Sequence, residues 1–481
     1  MRHTSILLAL AATATLTTAA LTAATGGAVG APAHHDRSVA KGGPGSWTKI
    51  SKSTVGITYR ASMTRTANGI LHVVYPHDLS GGGTTIGHTA LNTDGSTAAQ
   101  NNLFATGWST MDVSPIVVSE GGTSLRTMFV GQKDLGSGTW SQNQMYTATS
   151  GNSGGSWALP ADTIGGDNNL SGLYGMGATT LADGTPVAAT PLNGDLRWHV
   201  GTGLGADQTY TSPAGGSIYD VTLVRSGSAV WASWFQSGGT PSTHGTFAMQ
   251  ISPPVGTPLQ APGSSSNAQS ISTGRTALAA RVGGGVYLAY CVGYPSCTSV
   301  RVWKVGSSTW ATVPHTKFAT TVALSAGPTG RLWVAWSDNG PKVHAVRTGV
   351  NGLAMGAVRT PGIPRGQTAI YNVAIEGSRG RGDIVVNVGD AFWHTQVLAG
   401  LTLHASPSKW RHGSRQRVVF TVTDAHSAVG GATVKVGTRH CSTGTHGTCA
   451  ITFPGSFSTG RHAASAGKSG YAKATTTLRV S

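Results

Sequence analysis

The chain is predicted to be all-β on three observations: a recurrent apolar phrase, a composition dominated by Gly, Thr, Ser and Val, and no sustained helical periodicity beyond the N-terminal apolar stretch. The phrase is a small or polar turn containing Gly or Ser, followed by apolar and aromatic residues. It reads NGILHVVY (Asn68 to Tyr75), TSLRTMFV (Thr123 to Val130), DGTPVAAT (Asp183 to Thr190), SGSAVWASWF (Ser226 to Phe235), GGGVYLAYC (Gly283 to Cys291), TGRLWVAWS (Thr329 to Ser337) and RGDIVVNV (Arg381 to Val388). The copies recur every 43 to 61 residues. Each interval has room for about four short strands, the size of one propeller blade. The expected architecture is therefore a seven-bladed β-propeller followed by a small β-sandwich.

Taken in order, the first element is a leader. Met1-Arg2-His3 gives a positive start, Ile6 to Leu21 an apolar and small-residue core, and Val29-Gly30-Ala31 a small-residue cleavage site, so residues 1–31 read as a secretory signal peptide. Residues 32–42, including His34-His35, read as a disordered linker. No later stretch reaches the roughly 20 apolar residues of a membrane helix, which predicts a secreted, extracellular protein without a transmembrane anchor. Cysteine usage agrees with export. Cys291 and Cys297 bracket VGYPS, Cys441 and Cys449 bracket STGTHGT, and two local disulfides are the natural pairing. Neither pair has zinc-like spacing, so no metal and no cofactor is expected.

The second unit shows how a blade is built. SPIVVS (Ser114 to Ser119), LRTMFV (Leu125 to Val130) and QMYTAT (Gln144 to Thr149) are three strands, and SGNSGGSW (Ser150 to Trp157) is the turn into a fourth. That turn resembles the Asp-box, or BNR repeat, of the sialidase-like propellers: Ser150, Gly154, Ser156 and Trp157 match, and Asn152 stands where the family has Asp. The resemblance implies a structural turn, in which a short polar side chain accepts backbone N–H groups, Gly supplies a positive φ and Trp packs between blades. Weaker echoes are VGSSTW (Val305 to Trp310) and NTDGS (Asn92 to Ser96). Because sialidases have six blades, six is the alternative count. The last unit lacks its own fourth strand, and GPGSWTKIS (Gly43 to Ser51) is expected to supply it, closing the ring over residues 43–400.

Residues 401–481 change character. The run VTDAHSAVGGATVKV to ITFPGSF to ATTTLRV resembles bacterial Ig-like and carboxypeptidase-regulatory-like modules, which implies a small β-sandwich used as a spacer, adhesion unit or glycan-contacting accessory.

The formal net charge is +16, or +15 once Arg2 leaves with the leader, and the charge is dispersed. Such a surface favours an anionic cell-wall or extracellular polymer as partner; no basic and aromatic stripe points to a specific nucleic acid. There is no GxSxG elbow, HExxH, P-loop or dinucleotide fingerprint, and only two Glu occur, Glu120 and Glu376. If the sialidase resemblance extends to chemistry, the candidate residues are Arg60, Arg126, Arg225 and Arg275 for a substrate carboxylate, Tyr371 with Glu376 as nucleophile and base, and Asp78 (or Asp112) as acid. Tyr59-Arg60 stands where the family carries the first arginine motif, but Ala61-Ser62 replaces its Ile-Pro half. Trp234, Tyr294 and Trp336 are candidates for stacking on sugar rings. His72, His199, His344 and His394 read as strand histidines, and Arg381-Gly382-Asp383 as a turn rather than an adhesion tripeptide. Two functions follow: a secreted binding protein for an extracellular glycan or anionic polymer, or a sialidase-like glycoside hydrolase or lyase on the same scaffold.

Overall fold

Each recurrent phrase becomes the second strand of an antiparallel sheet in the computed structural model: Leu71–Asp78, Ser124–Gly136, Pro186–Leu192, Ala229–Ser237, Val286–Val292, Leu332–Asp338 and Gly382–Val388. The structure describes residues 43–51, 55–79, 83–104, 106–110, 114–160, 162–168, 170, 175–205, 207–212, 216–252, 254–266, 275–293, 296–338 and 340–481. The leader, the linker, Asp112 and Tyr294 lie outside them. In Leu332–Asp338 five consecutive residues, Leu332 to Trp336, are wholly buried. The strand is covered on both faces by neighbouring sheets, so its apolar run is continuous rather than alternating.

Among the described residues the phrases organise seven sheets, I to VII in chain order, six of four strands and sheet II of five. Their first strands are Ser62–Arg65, Ile116–Gly121, Gly177–Thr180, Ser217–Ser226, Ala277–Ala280, Ala319–Ala326 and Asn372–Glu376. Each first strand packs against the next, and that of sheet VII packs against that of sheet I, so the seven form a closed inner ring, the arrangement of a β-propeller. Thr48–Lys49 pairs antiparallel with Trp393–His394 and becomes the outer strand of sheet VII. An N-terminal strand thereby completes the last sheet and leaves no open edge at the seam.

Buried ionic groups hold that seam. Arg65 of sheet I reaches into sheet VII, its guanidinium 2.8 Å from Glu376 and 2.6 Å from Asp383. The other Asp383 oxygen accepts from His394 Nε2 at 2.9 Å and from Gln396 Nε2 at 3.0 Å. Burial pushes the Asp383 carboxyl up, but His394, Arg65 and Gln396 outweigh it and hold it below its ordinary value. The Asp of the Arg381-Gly382-Asp383 tripeptide is therefore a closure residue, 1% exposed.

The Ser150–Trp157 turn is compact. Ser150 Oγ accepts the Gly154 N–H at 2.9 Å, Asn152 Oδ1 accepts the Ser156 N–H at 3.0 Å, and Gly154 has φ +77°. Asn152 thus uses its amide oxygen to accept a backbone N–H across the turn.

From Ala399 onward the chain forms three further sheets, of two, four and five strands, and the larger two hold their own apolar core, including Trp410, Phe420, Phe453 and Leu478. This C-terminal module is docked on sheet VI: Asp424, 1% exposed, takes Arg347 at 2.5 Å and Arg331 at 3.1 Å, and Gly400 forms an antiparallel bridge with Ala357. The disulfides link Cys291 to Cys297 in sheet V and Cys441 to Cys449 in the module. The described regular structure is otherwise two short 3-10 turns, and no helix is long and apolar enough to cross a membrane.

Candidate functional site

The inner ring encloses a cavity of about 490 Å³ lined by all seven first strands. Most of its wall is Ala, Val, Thr and Ser, because seven converging strands leave room only for short side chains. The charged lining residues among those described are Arg60, Arg225, Arg275 and Glu376. They divide between two ends: one where the first strands begin, the other where they finish.

At the strand-start end, Arg60 is buried and its Nε donates to Asn372 Oδ1 at 2.8 Å. The segment carrying it is bolted to sheet VII by amides: Asn387 Nδ2 donates to the carbonyls of Gly56 and Tyr59 at 2.8 Å each, and Asn372 Nδ2 to that of Tyr59 at 3.2 Å. Arg275, just ahead of the first strand of sheet V, crosses the ring. Its Nη2 donates to the carbonyls of Ser114 and Pro115 at 2.5 Å, ahead of sheet II, and its Nη1 to that of Ala61 at 3.4 Å, ahead of sheet I. Beside Arg60, the Tyr59 hydroxyl donates to Asp78 at 3.3 Å; burial and that carboxylate both push the phenol up, so it holds its proton.

The remaining sequence candidates lie elsewhere. Arg225 is at the strand-finish end, donating to the Leu181 carbonyl. Arg126 is on the second strand of sheet II rather than at the start of an inner one, paired with Glu120 at 2.5 Å. Tyr371 is at the strand-start rim, 39% exposed, whereas Glu376 is at the opposite end of the same strand, held by Arg65. Five residues of extended chain separate them by roughly 16 Å, so they do not form a nucleophile and base pair. The stacking candidates also change. Trp234 and Trp336 are fully buried between sheets, Trp336 stacked on His344 at 5.2 Å. Among the described residues the exposed aromatics are Trp140, Trp310, Phe318 and Tyr371, and three of these, Trp140, Phe318 and Tyr371, belong to the strand-start face. Phe318 and Tyr371 each stand one residue before the first strand of their sheet, in neighbouring sheets VI and VII. That shared offset was readable from the repeats. The four strand histidines are all hydrogen-bonded, and no cluster of metal-ligating side chains occurs among the described residues.

No protein-family model matches the chain, and no curated protein matches it in sequence. Among solved structures it is similar to a lectin from Aleuria aurantia in complex with α-methyl-L-fucoside (15% identity, TM-score 0.36, 53% of this chain and 76% of that one). It is also similar to the intramolecular trans-sialidase from Ruminococcus gnavus (10%, TM-score 0.37, 73% and 95%) and to an α-L-arabinanase from Penicillium chrysogenum (14%, TM-score 0.40, 60% and 93%). None of these values assigns an activity to this chain.

Proposed function

We propose that residues 43–400 are a seven-bladed β-propeller, that residues 401–481 are an Ig-like sandwich, and that the secreted protein binds an extracellular glycan or anionic polymer at the strand-start mouth of the central cavity. The single observation that carries this reading is the segregation of Trp140, Phe318 and Tyr371 to the face that also holds Arg60 and Arg275. Flat apolar rings stack on the apolar faces of sugars, and the charges of Arg60 and Arg275 give this mouth a positive potential that favours carboxylate or sulfate. The cavity volume falls within the range of small-ligand sites. A hydrolase or lyase is the second reading, favoured by the Tyr59–Asp78 pair next to Arg60.

Titration calorimetry with neutral and acidic oligosaccharides tests the first. Phe318→Ala with Tyr371→Ala, both surface changes, is expected to weaken binding about 10-fold to 100-fold, from about 1–3 kcal/mol of lost stacking and area. Binding unchanged in that double variant removes the strand-start face from consideration. Turnover of sialosides or aryl glycosides, abolished by Arg60→Ala or Tyr59→Phe, establishes the second reading instead.

A further inference from the structure

A buried pair of histidines joins sheet I to the Ser150–Trp157 turn of sheet II, far from the proposed mouth. His72 and His88, both 0% exposed, stack with ring centroids 5.2 Å apart, and His72 Nδ1 lies 3.0 Å from His88 Nε2. The network around them dictates their tautomers. Asn101 Nδ2 donates to the carbonyls of Gly154 at 2.7 Å and Gly155 at 3.2 Å, which leaves Asn101 Oδ1 as the acceptor facing His88 Nδ1 at 3.0 Å. His88 therefore carries its hydrogen on Nδ1 and accepts at Nε2. His72 in turn donates from Nδ1, and its Nε2 lies 3.0 Å from the Thr66 hydroxyl, whose one hydrogen is shared among this nitrogen, Asn68 Oδ1 at 2.7 Å and the Ile70 carbonyl at 3.2 Å. Both rings are neutral, and each nitrogen has a polar neighbour within hydrogen-bond distance.

The turn rests on this pair. Gly154 lies so flat on His88 that a Cβ there would fall 2.2 Å from the ring, and Trp157 meets the same ring edge-on at 5.4 Å. Two more contacts cross the seam nearby, the Ala67 N–H on the Gly122 carbonyl and Asn68 Nδ2 on Ser153 Oγ.

We propose that the His72–His88 pair is an acid-released latch that fastens the Ser150–Trp157 turn to sheet I while both rings are neutral. A first proton fits only at His72 Nε2, where the ring would donate to Thr66. A second, at His88 Nε2, would face the N–H of His72 across 3.0 Å, and the stacked contact would open. The groups facing the pair oppose even the first proton: Arg65, the charged neighbour on the adjacent strand, is cationic, its countercharges Glu376 and Asp383 are already engaged on its far side, and Thr66, Asn68, Asn101 and Trp157 are uncharged. Burial, then His88 and Arg65, lower His72 to about 4, and burial lowers His88. Unfolded histidine titrates near 6.5, so the latch is complete above that pH and its contribution is withdrawn as pH falls towards about 4.

Hydrogen–deuterium exchange of the full secreted chain at pH 7 and pH 4.5, corrected for intrinsic rates, tests this. Residues 150–158 should gain exchange in acid by about 10-fold or more, while the module beyond residue 400 is unchanged. The doubly substituted His72→Gln, His88→Gln protein should show no such acid step. Equal protection at both pH values, or the same acid step in the variant, overturns the latch. If the variant does not fold, imidazole nitrogen NMR of the native chain decides: both rings must show the Nδ1–H tautomer and stay neutral at pH 5.5, and ordinary titration near 6.5 refutes the proposal.

Discussion

Asp383 shows how little a single residue's role is visible from its neighbours in sequence. In the chain it completes a tripeptide in a repeated turn; in the fold it receives Arg65, His394 and Gln396 at the point where the ring closes. Removing its charge leaves Arg65 with Glu376 alone in a buried setting, and breaking such a pair costs about 3–5 kcal/mol. We expect Asp383→Asn to lower stability by that order at pH 7, measured by urea unfolding. The pH dependence has a definite sign. A carboxyl held below its ordinary 3.8 contributes stability above that value, which is lost as pH falls through its folded pKa. Native protein should therefore show an acid step below about pH 4 that Asp383→Asn lacks, below the window of the histidine latch.

At the scale of elements, the second strands were legible and the connections were not. Leu332 to Trp336 announce a strand covered on both faces, because five consecutive large or apolar residues cannot alternate with solvent. Reading Trp234 and Trp336 as sugar-stacking candidates overlooks that logic, since both stand inside such apolar runs and are fully buried. The Gly43–Ser51 segment was recognisable as a missing outer strand through its Gly-x-Ser-Trp look, and its pairing with Trp393–His394 follows. The docking of the C-terminal module has no sequence signal: Asp424 and Arg347 are 77 residues apart, and only the fold brings them together. Asp424→Ala should cost about 3–5 kcal/mol and uncouple the module. Calorimetry is expected to show the module's melting separating from that of the rest, and a single unchanged transition would refute the coupling.

For the whole molecule, charge and shape act together. The chain carries +16 with 10% charged residues, so its field is broad rather than concentrated. If a polyanion is the ligand, each neutralised anionic group releases counterion, and log affinity should fall linearly with log salt at a slope of about −0.7 to −0.9 per contact. A neutral saccharide bound by stacking alone would show almost no slope. Titrating binding from about 50 to 200 mM salt distinguishes the two ligand classes, a range over which several contacts change affinity by orders of magnitude.

The sequence by itself determined the all-β class, the repeat and its second strands, the turn chemistry of Ser150 to Trp157, and the local pairing of its four cysteines, because each depends on residues within a few positions of one another. Tertiary structure decided which end of each strand faces the cavity mouth. It split Tyr371 from Glu376, set Arg275 across the ring from sheet V to sheets I and II, and stacked His72 on His88 behind a glycine. Those are contacts between chain segments tens to hundreds of residues apart, fixed by the closure of the ring, and closure is a property of all seven sheets together rather than of any window of sequence.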